Sequence, residues 1–587
     1  MNKEFEMKKS LDFAISGAEI EIADKSVQMA LDAGASAVMV SLDKAKTEIY
    51  ALLDGEIDNI RQTGDRSLTF NIYADGKYGT FSTNRFEEES LRDFLCKAVE
   101  TVRMLVADPF RGLPDKKDLA TDAVNGDEMG LCWYGYDSVS RDEKLKMARR
   151  VSVFGEFSVP SSDRNWRVVS EEVEYNNTLS DTYLTSSDGC RCRQTETSFE
   201  VSSQVTVEDN AGNKYTGLWW DYGVSPEKVL SSECGRKAVE MAVMQIAPVN
   251  ADKGKYTMVV SRLVSGRLLQ PVLNALSSLS VYQKSSFLVD ALGKQVFSKG
   301  LNVIDMPLEK GKSGAILFET DGRACRNREI ITDGVVKENF TSIYMSRNLG
   351  IPPTSSCPNR PVLQPFVSEE LLGGERGDVS GDELGGERSG ELGAVSGVER
   401  GTGLGAVNGG GRGTGLAGEC SGGHCGVRGD GRDASGLGGV SGDGRGVERG
   451  EVSGDGFGAE RGAEFGAVNG GCRGTELAGG LGAECGPKAD TFVNEIAQQD
   501  ILDLCGSGIL VTDFNGGNCN SATGDFSYGV SGFLFENGKI TSPIDSMLIT
   551  GNMTDLWSNL LAAGSDPVPG MSRQVPTLAF RDVTFNA

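Results

Sequence analysis

The sequence predicts an α+β fold: an N-terminal mixed sheet with covering helices, then a β-rich C-terminal domain interrupted by a disordered Gly-rich insertion. Three observations predict it. Helically spaced apolar residues alternate with strand-like runs through the first half of the chain. Turn dipeptides of the Asp-Gly and Asn-Gly type punctuate those runs, which is the pattern of hairpins. A long central tract then abandons both periodicities.

A first helix over residues 20–33 follows from Ile22, Ala23, Val27, Ala30 and Leu31 at helical spacing, and Gly34 ends it. Short strands follow over 37–42, 47–53 and 68–73, separated by Asp54-Gly55 and Asp75-Gly76. A second helix over 88–106 puts Leu91, Phe94, Leu95, Ala98, Val99, Val102 and Leu105 on one face, so helices are expected to cover one side of the sheet. Ser140 and Glu143 stand at capping-box spacing and mark the start of a third helix.

Residues 166–222, rich in Val, Thr, Tyr and Trp, predict antiparallel strands turning at Ser187-Asp188-Gly189 and Asn210-Ala211-Gly212. Residues 226–247 read as helix and 256–260 as a buried strand. Beyond the tract, 508–514 predict a strand entering a turn at Asn515-Gly516-Gly517-Asn518, with a later hairpin closed at Asn537-Gly538. The resulting division is an N-terminal α+β domain (1–225), the first part of a C-terminal domain (226–371), the insertion (372–488) and the rest of the C-terminal domain (489–587).

Composition narrows the function. The net charge is -25, of which roughly -17 lies outside the tract, and no dense Lys/Arg cluster offsets it, so direct nucleic-acid binding is disfavoured. Residues 1–10 are charged, and no segment is long and apolar enough for a membrane span, so the expectation is a soluble, cytoplasmic protein. The 13 cysteines follow no framework spacing, which suits reduced thiols. Cys190 and Cys192 are expected beside a strand rather than as a redox pair.

The chain holds one histidine, His424, and it lies in the glycine-rich tract. Imidazole is therefore missing from every segment expected to fold, which removes most hydrolytic mechanisms. The tract repeats itself, with GAVNGGGRGTGLAG from Gly405 and GAVNGGCRGTELAG from Gly466, and it has too few bulky apolar residues to offset its ordering entropy. Its GTGLAG run lacks the flanking strand and helix of a dinucleotide site. Cys420, His424 and Cys425 lack a nearby fourth ligand, so both motifs are read as repeat drift. Deleting 373–486 is expected to leave the melting temperature almost unchanged, because loop closure costs only logarithmically with length; a large fall would contradict this.

The run GSGILVTDFNGGNCNSATGDFSYGVSGFLFENGKI from Gly506, with ITGNMTDLWSNLLAAGSD from Ile549, SVYQKSSFLVDALGKQV from Ser280 and DGKYGTFSTN from Asp75, resembles the TldD/PmbA family. That family includes modulators of DNA gyrase and subunits of a zinc metallopeptidase. The VYQKSSFLVDALGKQ segment resembles its PmbA (TldE) branch. In the TldD branch, a helix bears His-Glu-x-x-x-His and a cysteine near the C-terminus completes the zinc site. Aligned on Leu268-Leu269, the corresponding positions are Gln270, Pro271 and Ala275, none of which serves as a ligand or base, and no cysteine follows Gly564.

The resemblance therefore implies no cofactor in this chain, with zinc in a TldD-like partner that forms a heterodimer or larger assembly. It also implies an unfolded peptide substrate in a chamber between subunits. Asp513, Phe514, Asn515, Gly516 and Gly517 are the candidates for a peptide channel, while Asp513 and Asp525 by themselves suit turn capping. Two alternatives stand beside this reading. One is a non-enzymatic homodimeric binding protein; the other is a Ser-Lys hydrolase using Lys284, Ser285 and Ser286.

Overall fold

The computed structural model describes residues 11–120, 129–155, 165–373 and 496–586. His424, the GTGLAG run, Cys420 and Cys425, and almost all of the expected insertion lie outside the described residues.

The first layer is a six-stranded sheet built from β1 (Ala37–Leu53), β2 (Glu56–Ala74), β3 (Lys77–Thr83), β4 (Trp166–Ser186), β5 (Arg191–Asp209) and β6 (Lys214–Gly223). Its order is β3-β2-β1-β4-β5-β6. Every pairing is antiparallel, so the mixed sheet expected here is found instead in the C-terminal half. The reason is largely local: β1 to β3 and β4 to β6 are two meanders joined by tight turns, with positive φ at Asp54, Gly55, Asp75, Gly76, Gly189 and Gly212, and the meanders meet edge to edge through β1 and β4. The two runs expected at 37–42 and 47–53 form one strand. The polar residues between them stay extended because their backbone pairs with β2 on one side and β4 on the other, while Lys44 meets Glu19 at 3.1 Å and Lys46 meets Glu48 at 2.9 Å.

Helices cover one face. α1 (Gly17–Asp32) is capped by Ser16 and Glu19, α2 (Glu88–Met104) sets Leu91, Leu95, Ala98, Val99 and Val102 inward, and α3 (Arg141–Val151) starts at the expected Ser140–Glu143 capping box. α1 and α2 pack on Val38, Val40, Leu42, Leu68, Phe70 and Ile72, the alternate residues of β1 and β2. The helical stretch expected at 226–247 is two helices, α4 (Glu227–Leu230) and α5 (Cys234–Met244). α5 lies against β5 and β6, where only a glycine fits: a Cβ on Gly217 would stand 2.1 Å from the Ala238 carbonyl oxygen.

The second layer begins with β7 (Gly254–Val260). A small sheet follows, ordered β10-β9-β8-β11, from β8 (Val303–Asp305), β9 (Arg328–Thr332), β10 (Val335–Val336) and β11 (Pro361–Leu363). Its buried Arg328 is neutralised by Asp305 at 3.0 Å. The larger sheet adds β12 (Phe366–Val367), β13 (Gly508–Cys519), β14 (Asp525–Glu536), β15 (Lys539–Asn552), β16 (Leu560–Ala563) and β17 (Leu578–Asn586). Here β7 pairs in parallel with β13 and antiparallel with β17, while β13, β14, β15 and β17 pair in succession. The five strands thus close into a barrel, which leaves few unpaired edges.

The turn expected at Asn515-Gly516-Gly517-Asn518 is not a turn. These residues belong to β13, which is bulged between Val511 and Asp513 and again between Phe514 and Gly516. Gly516 and Gly517 have φ of 140° and 97°, which locally kinks the strand without reversing it. The reversal comes later, over residues 520–524, where Asn520 Oδ1 accepts from the Ala522 amide at 3.0 Å.

Candidate functional site

β13, β14 and β15 form one wall of a cleft of about 880 Å³. The opposite wall is β6 with Gln204 of β5, and Gln245 and Pro248, just after α5, close one end. That connection is fixed to the barrel: the Val249 amide donates to the Pro543 carbonyl at 2.8 Å. Glycine permits the strand crossing beneath the cleft. A Cβ on Gly532 would sit 1.9 Å from the Leu510 carbonyl oxygen, and one on Gly517 would sit 2.0 Å from that of Ser527.

Four of the five expected channel residues, Asp513, Phe514, Asn515 and Gly516, line this cleft; Gly517 continues the same strand. Phe514 is buried and meets Tyr528 edge-on at 5.5 Å. Burial pushes the Tyr528 hydroxyl up to about 12, so it stays protonated at neutral pH. Asn515 donates to Ser531 Oγ at 2.5 Å and to Ser546 Oγ at 3.1 Å, tying the exposed end of β13 to β14 and β15. Asp513 Oδ1 accepts from the Phe514 amide at 2.8 Å. Asp525 caps the following turn, accepting from Asn552 Nδ2 at 3.0 Å and Thr523 Oγ1 at 2.7 Å; those bonds hold its carboxyl below the usual range.

Gln270, Pro271 and Ala275 lie on α6 (Gly266–Ala275), beside β13. Arg267, on the first turn of α6, donates to the Phe514 carbonyl at 2.6 Å and places this helix against the cleft. The three positions do not fit zinc. Gln270 Nε2 donates to Asn274 Oδ1 at 2.6 Å, Pro271 has no donor or base, and Ala275 is buried with its carbonyl accepting from Ser286 Oγ at 2.6 Å. Among the described residues, no three His, Cys, Asp or Glu side chains are grouped to hold a metal.

The Ser-Lys alternative finds no dyad in the hydrogen bonds of its serines. Ser285 Oγ donates to the Ser280 carbonyl at 3.3 Å and Ser286 Oγ to that of Ala275, so both protons are held by backbone oxygens rather than an amine. Cys190 and Cys192 are buried neighbours, Sγ to Sγ 3.5 Å, packed among Met39, Leu113 and Leu184.

The cleft residues that sequence reading missed include Gln204, Thr216, Leu218, Gln245 and Arg267. Only Arg267 carried a local signal, an exposed cation one turn before the motif positions.

Two family models match. The PmbA/TldA metallopeptidase central domain covers residues 134–246, and the PmbA/TldA metallopeptidase C-terminal domain covers 253–375 and 464–587. The chain is 21% identical to metalloprotease PmbA of Escherichia coli O157:H7, over 94% of this chain and 92% of that one. Its fold is similar to that of a candidate modulator of DNA gyrase from Bacteroides thetaiotaomicron, with a TM-score of 0.71, 24% identity, and coverage of 98% of this chain and 100% of that one. It is also similar to TldE from Thermococcus kodakarensis, with a TM-score of 0.61, 13% identity, and coverage of 96% and 100%. The two models together span more than half of the sequence, and the chain belongs to the PmbA/TldD metallopeptidase family.

Proposed function

We propose that this chain is the metal-free subunit of a TldD/PmbA-type peptidase, cytoplasmic and paired with a TldD-like partner that bears zinc. One observation carries the reading. The helix aligned with the zinc motif holds Gln270, Pro271 and Ala275, yet the same helix buttresses an open cleft walled by β13. A chain that has no donors at the motif but keeps the adjoining strand exposed suits substrate handling rather than bond cleavage.

In this reading an unfolded peptide lies extended along Asp513–Gly517, matching backbone donors and acceptors to the bulged strand while zinc chemistry is supplied by the partner. Backbone pairing favours unfolded substrates, because a folded protein has already used those groups.

The experiment is a mixing assay with a dye-quenched unstructured peptide. Cleavage is expected only when this chain and a TldD-like subunit are combined, and a chelator should abolish it. Cleavage by this chain alone that survives the chelator would overturn the proposal.

A further inference from the structure

The wall of the cleft opposite β13 is itself a strand edge. Among the described residues β6 pairs only with β5, and no second strand lies on its outer side. The Asp209 amide bonds to the Asn213 carbonyl at 2.9 Å, which makes that pair the hydrogen-bonded one at the hairpin mouth. By antiparallel alternation, Lys214, Thr216 and Leu218 then turn their backbone N–H and C=O groups away from β5. The Thr216 carbonyl confirms the direction, since it accepts from Gln245 Nε2 at 2.8 Å on that outer side. All three residues line the cleft.

β13 offers a comparable edge on the other wall. Its pairing with β7 ends at Val511, and among the described residues no strand pairs with that side of β13 from Asp513 onward. There the Phe514 carbonyl accepts from the guanidinium of Arg267. Each edge therefore has a carbonyl met by a long polar side chain, standing where the N–H of an added strand belongs.

We propose that the cleft is a two-edged slot that takes one extended polypeptide strand, paired to β6 on one side and to β13 on the other. The run Lys214–Leu218 along the cleft wall is five strand residues long, about 13 Å at about 3.3 Å rise, so it can pair with about five extended residues. Recognition runs through the backbone and is tolerant of sequence; Gln245 and Arg267 swing aside or re-pair with the incoming strand. This rests on the reading of the chain as a substrate-handling subunit, and adds the wall supplied by the N-terminal layer.

The test uses the purified full chain and a short, dye-labelled, unstructured peptide followed by fluorescence anisotropy. Thr216→Pro removes the outward N–H of β6, on an edge where proline is tolerated, and Leu218→Trp fills the slot from the same wall without touching the backbone. Asn515→Trp fills it from the β13 side. Each variant is expected to weaken binding about tenfold or more, with unchanged melting temperature for at least one of the two β6 variants. If Thr216→Pro and Leu218→Trp bind like the parent while Asn515→Trp does not, the two-edged slot is wrong, although the single-edged reading survives. Absence of peptide binding by the parent chain also overturns the slot, and the mixing assay then judges the subunit reading separately.

Discussion

The six-stranded sheet and the barrel solve the same problem with opposite means. In the sheet, strands of up to 21 residues shift register only near strand ends, at Ala51/Leu52 and Val168/Ser170, and Tyr175, Leu179, Phe199, Val201 and Val205 bury one face under helices. In the barrel, β13 and β14 break register twice and depend on Gly517 and Gly532 for backbone approaches that no side chain permits. Regularity builds a stable wall, and irregularity opens an edge. The cleft lies where the two meet, so its properties belong to neither layer alone.

Substitutions can break this contrast at its strongest point first. Gly532→Val places a side chain against the Leu510 carbonyl and is expected to cost about 4 kcal/mol or more, measured by urea denaturation. In the regular sheet the loss is cavity-like: Leu68→Ala, at a fully buried position, should cost about 3 kcal/mol and leave peptide binding intact. Loss of binding in that variant would mean that the layers are coupled more tightly than the packing suggests. Ser140→Ala removes the capping box of α3 and should cost about 1 kcal/mol.

A pH-dependent effect sharpens the comparison further. Burial pushes the Glu19 carboxyl upward, but the Ser16 amide and hydroxyl and the Lys44 ammonium outweigh it and bring it to about 2, from an ordinary 4.5. A depressed carboxylate stabilises the fold above its unfolded value and loses that contribution as pH falls toward 2. Glu19→Gln should therefore flatten the fall in stability between pH 4.5 and 2; an unchanged slope would contradict the assignment. The smallest effect is expected at Gly529→Ala, within about 0.5 kcal/mol, since its nearest neighbour, Asn515 Cβ, is 3.7 Å from the added atom. A large loss there would show that the whole glycine-rich run, rather than two crossing points, is constrained.

What the sequence made legible follows the same division. Turns at Asp54-Gly55 and Asn537-Gly538 and the cap at Ser140 are encoded by two to four adjacent residues, and all are found where expected. The Ser16–Glu19 cap was missed because apolar spacing placed the start of α1 at Ile20, after the polar residues that begin it. The run at 515–518 misled because Asn-Gly-Gly-Asn is turn chemistry, and only the pairing of Gly516 with Gly529 and of Gly517 with Tyr528 keeps it in a strand. β8 to β12, each two to five residues long, are too short to display alternation.

The candidate site divides likewise. Asp513 to Gly516 were legible from the glycine-rich run, whereas Thr216 and Leu218 are ordinary strand residues nearly 300 positions away. Nothing local marks them; the packing of the barrel beside β6 places them in the cleft lining.

The central claim is that the motif helix of this chain has no means of holding a metal. It is tested most directly by elemental analysis of the purified full-length chain, dialysed against zinc-containing buffer, beside a TldD-like subunit treated identically. The account predicts no stoichiometric zinc in this chain and one bound equivalent in the partner. A stoichiometric ion retained by this chain, and lost on substitution of its own folded side chains, would contradict it.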